Sequence, residues 1–202
     1  AESLWIGVRS GVYGGAPIDP GRIPAVRARF PRVRLFQGFG QTETGYCLGL
    51  LDADHERRPQ SVGRPDPFSD VRLLDDAGRE VPVGEVGEIV ARTPYLMNGY
   101  HRDPAATAAY FAFGPQWGRT GDLARRDADG YYTLAGRTHE LVISGGVNLY
   151  PAEVERVLLQ HPAVADAAAF GIPDAHWGET LVAAVIPRAG GAGTPEALDA
   201  HC

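Results

Sequence analysis

The sequence contains no lysine: all 19 of its basic residues are arginine, set against 25 acidic residues in 202 positions. The net charge of -6 excludes a general nucleic-acid or anionic-membrane surface, so any phosphate site must be local. Cysteine is almost as scarce. Cys47 and Cys202 are too few for a disulfide framework, which points to a reducing, cytoplasmic setting. No apolar run approaches the roughly 20 residues that a membrane-spanning helix needs. The opening Ala1-Glu2-Ser3-Leu4-Trp5 lacks the charged and apolar regions of a secretory signal and starts as if in mid-domain. What remains is a chain with 44% hydrophobic residues, long enough to bury one sizeable core or two modest ones.

The order of elements suggests an α/β protein. Leu4 to Val12 is apolar enough for a strand, and Gly14-Gly15-Ala16-Pro17 turns the chain. Asp19 with Pro20 reads as an N-cap followed by proline at the first helical position, starting a helix that ends near Phe30. Val33 to Phe36 then forms a short strand leading into a glycine-rich loop, completing a β-α-β unit whose loops sit at the carboxyl ends of parallel strands. Val71 to Leu74, the turn Asp75-Asp76-Ala77-Gly78, and Gly87 to Ala91 predict antiparallel strands in a small subdomain. Asp103-Pro104 caps a helix to about Phe113, and Asp127-Ala128-Asp129-Gly130 turns into a strand from Tyr131 to Leu134. The character changes near Gly136. A strand from Leu141 to Ser144, a glycine pair, a helix from about Ala152 to Gln160 behind Pro151, and strands from Val164 to Phe170 and Thr180 to Ile186 begin a second α/β unit. After the flexible connector Gly190 to Pro195 the chain reads as the opening of a helix, so this unit is expected to leave a sheet face uncovered.

Four stretches bear on chemistry. In Gln37-Gly38-Phe39-Gly40-Gln41-Thr42-Glu43-Thr44-Gly45, preceded by Gly14-Gly15-Ala16, glycines let the backbone approach a planar base or phosphate. Thr42 can donate to a phosphate oxygen and Glu43 can hold a hard cation. The same residues also read as a glycine-rich turn with Phe39 in the core and Glu43 at a helix start. In Trp117-Gly118-Arg119-Thr120-Gly121-Asp122-Leu123, the carboxylate can accept two hydroxyl hydrogen bonds, as from a ribose, or can cap a turn. Gly136-Arg137-Thr138-His139-Glu140 leads through an apolar strand to Ser144-Gly145-Gly146 and Asn148 to Glu155. It reads either as a functional linker or as a surface salt-bridge site. Gly84 to Ile89 and Asn98-Gly99-Tyr100 read as structural, as do Trp177 and His176; His139 reads as a solvated linker histidine.

Together, in this order and spacing, the four stretches closely resemble the adenylate-forming superfamily of acyl-CoA synthetases, luciferases and peptide-synthetase adenylation domains. The resemblance covers nearly the whole chain. It implies that Gly14, Gly15 and Ala16 line an adenine, that Phe39 stacks on it beside Gly40, and that Thr42 touches the α-phosphate. It further implies that Glu43 helps hold Mg2+, and that Asp122, assisted by Arg137, binds the ribose. Glu140 stands at the hinge position, where the family commonly has Asp or Lys. Ser144, Gly145 and Gly146 match the lining of the CoA pantetheine tunnel.

The fold so implied is the later part of the large domain over 1–136, a hinge at 137–141, and an incomplete small C-terminal domain over 142–202. The implied reaction joins a carboxylic acid to ATP as an acyl-adenylate, releasing pyrophosphate, and passes the acyl group to a thiol. The run Ser144 to Glu153 is similar to the acyl-CoA ligase form, which favours CoA as acceptor over a carrier-protein thiol. Fatty and aryl acids both stay open. Two lysine-bearing motifs of the family, a phosphate loop and a carboxyl-terminal catalytic lysine, have no counterpart here. The 202 residues are therefore expected to be a fragment unable to form the adenylate alone, or a remnant that only binds nucleotide.

Overall fold

The computed structural model describes residues 7–16, 18, 21–189 and 193–202. These form two compact units, 1–134 and 135–202, with the division falling inside one strand.

In the first unit, β1 (Ser10–Gly14) and β2 (Arg34–Gln41) lie parallel, with Tyr13 opposite Gln37 and Gly14 opposite Gly38. Helix α1 (Arg22–Arg29) connects them and buries Ile23. Its cap position is Gly21, with no side-chain bond; the expected cap at Asp19 and Pro20 lies outside the described residues. The chain then continues antiparallel through β3 (Gly45–Leu50), β4 (Ser61–Pro65), β5 (Asp70–Leu74), β6 (Val86–Arg92), β7 (Gly118–Arg126) and β8 (Tyr132–Arg137). Helix α2 (Pro104–Tyr110) interrupts this run, capped as expected by Asp103 Oδ1, which accepts from the Ala106 amide at 2.9 Å.

One sequence expectation needs correction. The glycine-rich segment after Phe36 is not a loop: β2 extends to Gln41 and pairs with β3 across a tight turn. Its glycines, expected to form a loop, serve close strand packing, because a Cβ on Gly40 would overlap the Gly45 carbonyl. The expected antiparallel strands are present and continue from the β-α-β unit. They share one eight-stranded sheet with the β-α-β unit, in the order β1-β2-β3-β4-β8-β7-β6-β5.

The first unit's core is Cys47, Leu48, Val62, Val71, Leu73, Ile89, Ala91, Ala124 and Tyr132, with Phe39, Val81 and Leu134 packed against it. Cys47 is fully buried, and burial, followed by the charges of Asp66 and Asp122, pushes its thiol up to about 12. A thiol reagent at pH 8 is therefore expected to label Cys202, which is exposed, and to reach Cys47 only after denaturation; stoichiometric labelling of both in the native protein would contradict this burial. The sign of the linked effect follows. The unfolded thiol ionises near 9 and the folded one near 12, so the stabilisation from keeping Cys47 protonated is intact below pH 9 and is lost as pH rises towards 12.

The second unit holds a four-stranded antiparallel sheet in the order β10-β9-β12-β11, made of β9 (Val142–Ser144), β10 (Val147–Leu149), β11 (Val164–Asp174) and β12 (Gly178–Pro187). Helix α3 (Pro151–Leu158) packs on β11, where Glu155 Oε1 accepts from the Ala169 amide at 2.9 Å. A short helix α4 (Pro195–Asp199) follows, capped by Thr194. Ile143, Val147, Phe170, Ile172 and Trp177 stay exposed on this unit. Among the described residues, no helix is long and apolar enough to cross a membrane.

Candidate functional site

The carboxyl ends of the parallel pair β1 and β2 open into a cleft of about 580 Å3. Its lining includes Gly14, Phe39, Gly40 and Thr42, so four residues from two separated motifs border one space. This is the position where open α/β sheets bind ligands. The glycines set its shape. A Cβ on Gly14 would overlap the Gly38 carbonyl oxygen, so only glycine lets the two strands approach this closely. Gly15 and Ala16 follow as an exposed bend. Phe39 has a double allegiance, packing against the core cluster while also bordering the cleft.

The turn after β2 is held from inside. Buried Thr44 accepts from the Gln41 amide through Oγ1 at 3.1 Å and donates to the Gly45 carbonyl at 2.8 Å, which leaves Thr42 and Glu43 on the outer side. The segment 93–100 braces the same turn: Thr93 Oγ1 donates to the Thr44 carbonyl at 2.7 Å, and the Met97 amide donates to the Glu43 carbonyl at 2.8 Å. Tyr100 Oη then donates to Glu43 Oε1 at 2.9 Å. Burial, followed by Glu43, raises the Tyr100 phenol above its ordinary value, so it remains a proton donor to that carboxylate. Among the described residues, no three His, Cys, Asp or Glu side chains gather as a metal cage. Glu43 thus offers a single oriented carboxylate, which suits Mg2+ held mostly by water and substrate phosphates.

Asp122 differs from its expected place. It is not on a turn but within β7, only 6% exposed, at a bulge where the β6–β7 register shifts and Gly121 takes φ +71°. The amide of Asp122 donates to Thr120 Oγ1 at 3.1 Å, and Gln41 Nε2 donates to Asp122 Oδ2 at 2.8 Å and to the Thr120 carbonyl at 2.6 Å. Gln41 also borders the cleft, so it links the carboxylate of Asp122 to the first motif. The bulge is held by Glu88, 6% exposed, which receives Arg119 through Nε and Nη2 and the Gly121 amide at 3.1 Å.

The remaining candidates lie in the second unit. Arg137 ends β8 on the surface, and Glu140 closes a 3-10 turn over 138–140, with His139 Nε2 at 3.6 Å from Glu140 Oε1. Ser144, Gly145 and Gly146 form the hairpin between β9 and β10, where Gly145 and Gly146 take φ +56° and +83°, a conformation that all but requires glycine in a two-residue turn. Trp177, read as a packing residue, covers Gly145 and receives its amide proton at 2.9 Å.

Sequence reasoning missed Val12, Tyr13, Gln41 and Tyr46, which line the cleft, and Tyr100, which holds Glu43. Position inside or beside the first motif would have flagged Gln41 and Tyr46. The same holds for Tyr13, beside Gly14, while nothing local points Tyr100 towards Glu43. Burial, followed by Asp66, pushes the Tyr46 phenol up to about 12, and its ring packs 5.5 Å from that of Phe36.

Known proteins resemble the chain along most of its length. The AMP-binding enzyme family matches residues 3–101, and the AMP-binding enzyme C-terminal domain matches residues 153–202. A medium/long-chain-fatty-acid–CoA ligase of Mycobacterium tuberculosis is 41% identical over 190 residues, covering 93% of this chain and 33% of the relative. A sulfoacetate–CoA ligase of Cupriavidus necator is 40% identical over 197 residues, covering 97% and 38%. Among solved structures, the amide bond synthetase McbA of Marinactinospora thermotolerans superposes with a TM-score of 0.85 at 42% identity, over 96% of this chain and 39% of that one. The chain therefore spans about a third of the length of the curated relatives it matches. With the glycine-lined cleft, the Thr42–Glu43 turn and both family matches in one sequence, the chain belongs to the adenylate-forming superfamily of AMP-binding enzymes.

Proposed function

We propose that the whole protein is an ATP-dependent acid–thiol ligase, which converts a carboxylic acid, ATP and CoA to acyl-CoA, AMP and pyrophosphate through an acyl-adenylate. In this reading residues 1–136 belong to the large AMP-binding domain, 137–141 to the hinge and 142–202 to the small C-terminal domain, and the enzyme works in the cytoplasm. One observation carries the nucleotide half: Gly14, Phe39, Gly40 and Thr42 border a single cleft, with Asp122 tied to it through Gln41.

Gly14, Gly15 and Ala16 form the adenine wall, with Phe39 as stacking face and Gly40 beside it. Asp122 accepts from the ribose hydroxyls with help from Arg137, and Thr42 donates to the α-phosphate. Glu43, oriented by Tyr100, holds Mg2+, which when bound neutralises phosphate charge. Glu140 is the pivot of the hinge, and Ser144, Gly145 and Gly146 leave room for the pantetheine arm. A fatty or aryl acid is the substrate class in view. CoA as acceptor is supported by the CoA-ligase relatives. An amine acceptor is the second reading, favoured by the likeness to an amide bond synthetase. A carrier-protein thiol would use the same adenylate.

The nucleotide reading is tested by titrating the isotope-labelled chain with AMP. Shifts are expected at Gly14, Gly40, Thr42 and Asp122, and Phe39→Ala should weaken binding about tenfold, the value of one lost base–aromatic stack. Titration that moves none of these amides would reject it. Because no lysine is present, the 202 residues alone should release no pyrophosphate from ATP and acid; turnover above background would contradict the mechanism. Thioester formation with CoA, assayed in a protein that contains this chain together with the lysine motifs, distinguishes the acceptors.

A further inference from the structure

His55 was not singled out by any motif, is 3% exposed, and does not border the cleft. Its surroundings are nevertheless specific. The Leu51 carbonyl lies 2.8 Å from Nδ1, and a carbonyl can only accept, so Nδ1 carries a proton. Nε2 of the neutral ring is then an acceptor, 2.9 Å from Tyr13 Oη, which shares its one proton between Nε2 and Gln37 Oε1 at 3.2 Å. Tyr13 and Gln37 are register partners in the parallel pair, and the next rung up is Gly14 opposite Gly38. The buried imidazole thus fixes the Tyr13 hydroxyl of β1, which in turn faces Gln37 of β2, immediately beneath the glycine rung that shapes the cleft.

The segment that presents His55 is itself fastened. Asp52 Oδ1 accepts from the Leu35 amide of β2 at 2.9 Å and from Arg27 Nη2 of α1 at 3.2 Å, and the Asp52 carbonyl accepts from the same Nη2 at 2.8 Å. His55 therefore stands on a support bonded to α1 and to β2, the strand that carries Gly38 to Gln41 of the cleft. A buried hydrogen-bonded chain of this kind is costly to leave half satisfied, so it restricts its members to one arrangement. Tyr13 is the member that reaches the cleft lining.

We infer that His55 is a positioning residue for the adenine nucleotide: it holds the Tyr13 hydroxyl, and through it the end of β1, at the spacing from β2 that the base requires. The inference rests on the nucleotide reading of the cleft. His55 does not contact the nucleotide; it acts through Tyr13.

The test uses the full 202-residue chain, with AMP as probe and amide chemical shifts as the binding readout. Tyr13→Phe removes a single oxygen and is expected to weaken AMP about fivefold, the value of one hydrogen bond. His55→Asn, whose carboxamide matches only the Nδ1 position, should weaken it to a similar degree, and the double variant should be no weaker than either single one. His55→Gln, which places a polar group near the Nε2 position, should recover most of the affinity. Long-range 15N spectra of the imidazole should show the proton on Nδ1. Unchanged affinity in Tyr13→Phe, additive losses in the double variant, equal affinities for the Asn and Gln variants, or a proton on Nε2 alone would each overturn the positioning role. If wild-type AMP moves neither Gly14 nor Gly38, the nucleotide reading itself falls. If wild type binds and Tyr13→Phe binds equally, only the role of His55 falls.

Discussion

Gly14→Ala is expected to remove AMP binding, by tenfold or more, while leaving most of the first unit folded. The added methyl would meet the Gly38 carbonyl, a backbone atom that cannot rotate away, so β1 must move off β2. Overpacking of this kind costs about 1–3 kcal/mol. Because β1 is an edge strand of the eight-stranded sheet, much of that cost is relieved by its displacement, and the displaced strand takes the proposed adenine wall with it. Gly11→Ala on the same strand is the control. Its methyl would meet Val33 Cγ1 at 3.4 Å and Leu35 Cδ2 at 3.6 Å, ordinary contact distances, so it should alter neither affinity nor melting temperature by much. Titration of both variants with AMP, alongside thermal melts, separates these outcomes. Equal affinities for the two would mean that the close approach of β1 and β2 does not shape the site.

Glu88→Ala carries the largest expected loss of stability. Its carboxylate is almost fully buried and satisfies three groups of β7: Arg119 Nε, Arg119 Nη2 and the Gly121 amide. The hydrogen bond to Glu88 also raises Arg119 above its ordinary value. Removing one partner of a buried pair leaves the other group desolvated and unpaired, an effect of about 3–5 kcal/mol. The Arg119 side chain stays 35% exposed, so water can replace part of the lost bonding, and about 3 kcal/mol is expected. Glu88→Gln keeps an acceptor for Gly121 and should lose roughly half as much. Urea denaturation monitored on the first unit measures both. The bulge that carries Asp122 depends on these bonds, so AMP affinity should fall in step with stability. A loss under about 1 kcal/mol in Glu88→Ala would show that the clamp does not hold the bulge.

Local chemistry made much of the fold readable before any coordinates. Asp103-Pro104 and Pro151 announced the starts of α2 and α3, because a capping carboxylate and a ring-fixed φ act within one turn of the chain. The apolar runs Val71 to Leu74 and Gly87 to Ala91, with the turn Asp75-Asp76-Ala77-Gly78 between them, marked β5 and β6 for the same short-range reason. The glycine-rich segment misled, since glycine serves turns and tight strand packing equally well, and only the neighbour decides between them. Here the neighbour of Gly40 is the Gly45 carbonyl, five residues later, and that of Gly14 is the Gly38 carbonyl, 24 residues later. Tyr100 was read as structural because its partner, Glu43, is distant in sequence.

The sequence by itself determined the absence of lysine, the joint presence of the four motifs, and with them the superfamily, since these depend only on which residues occur and in what order. The tertiary structure decided that Asp122 sits in a strand, that Gln41 reaches it, and that His55, Tyr13 and Gln37 join beneath the cleft. The physical reason is the same in each case. A hydrogen bond between residues dozens of positions apart depends on register and burial, and those are set by the packing of the whole sheet rather than by any local stretch of chain.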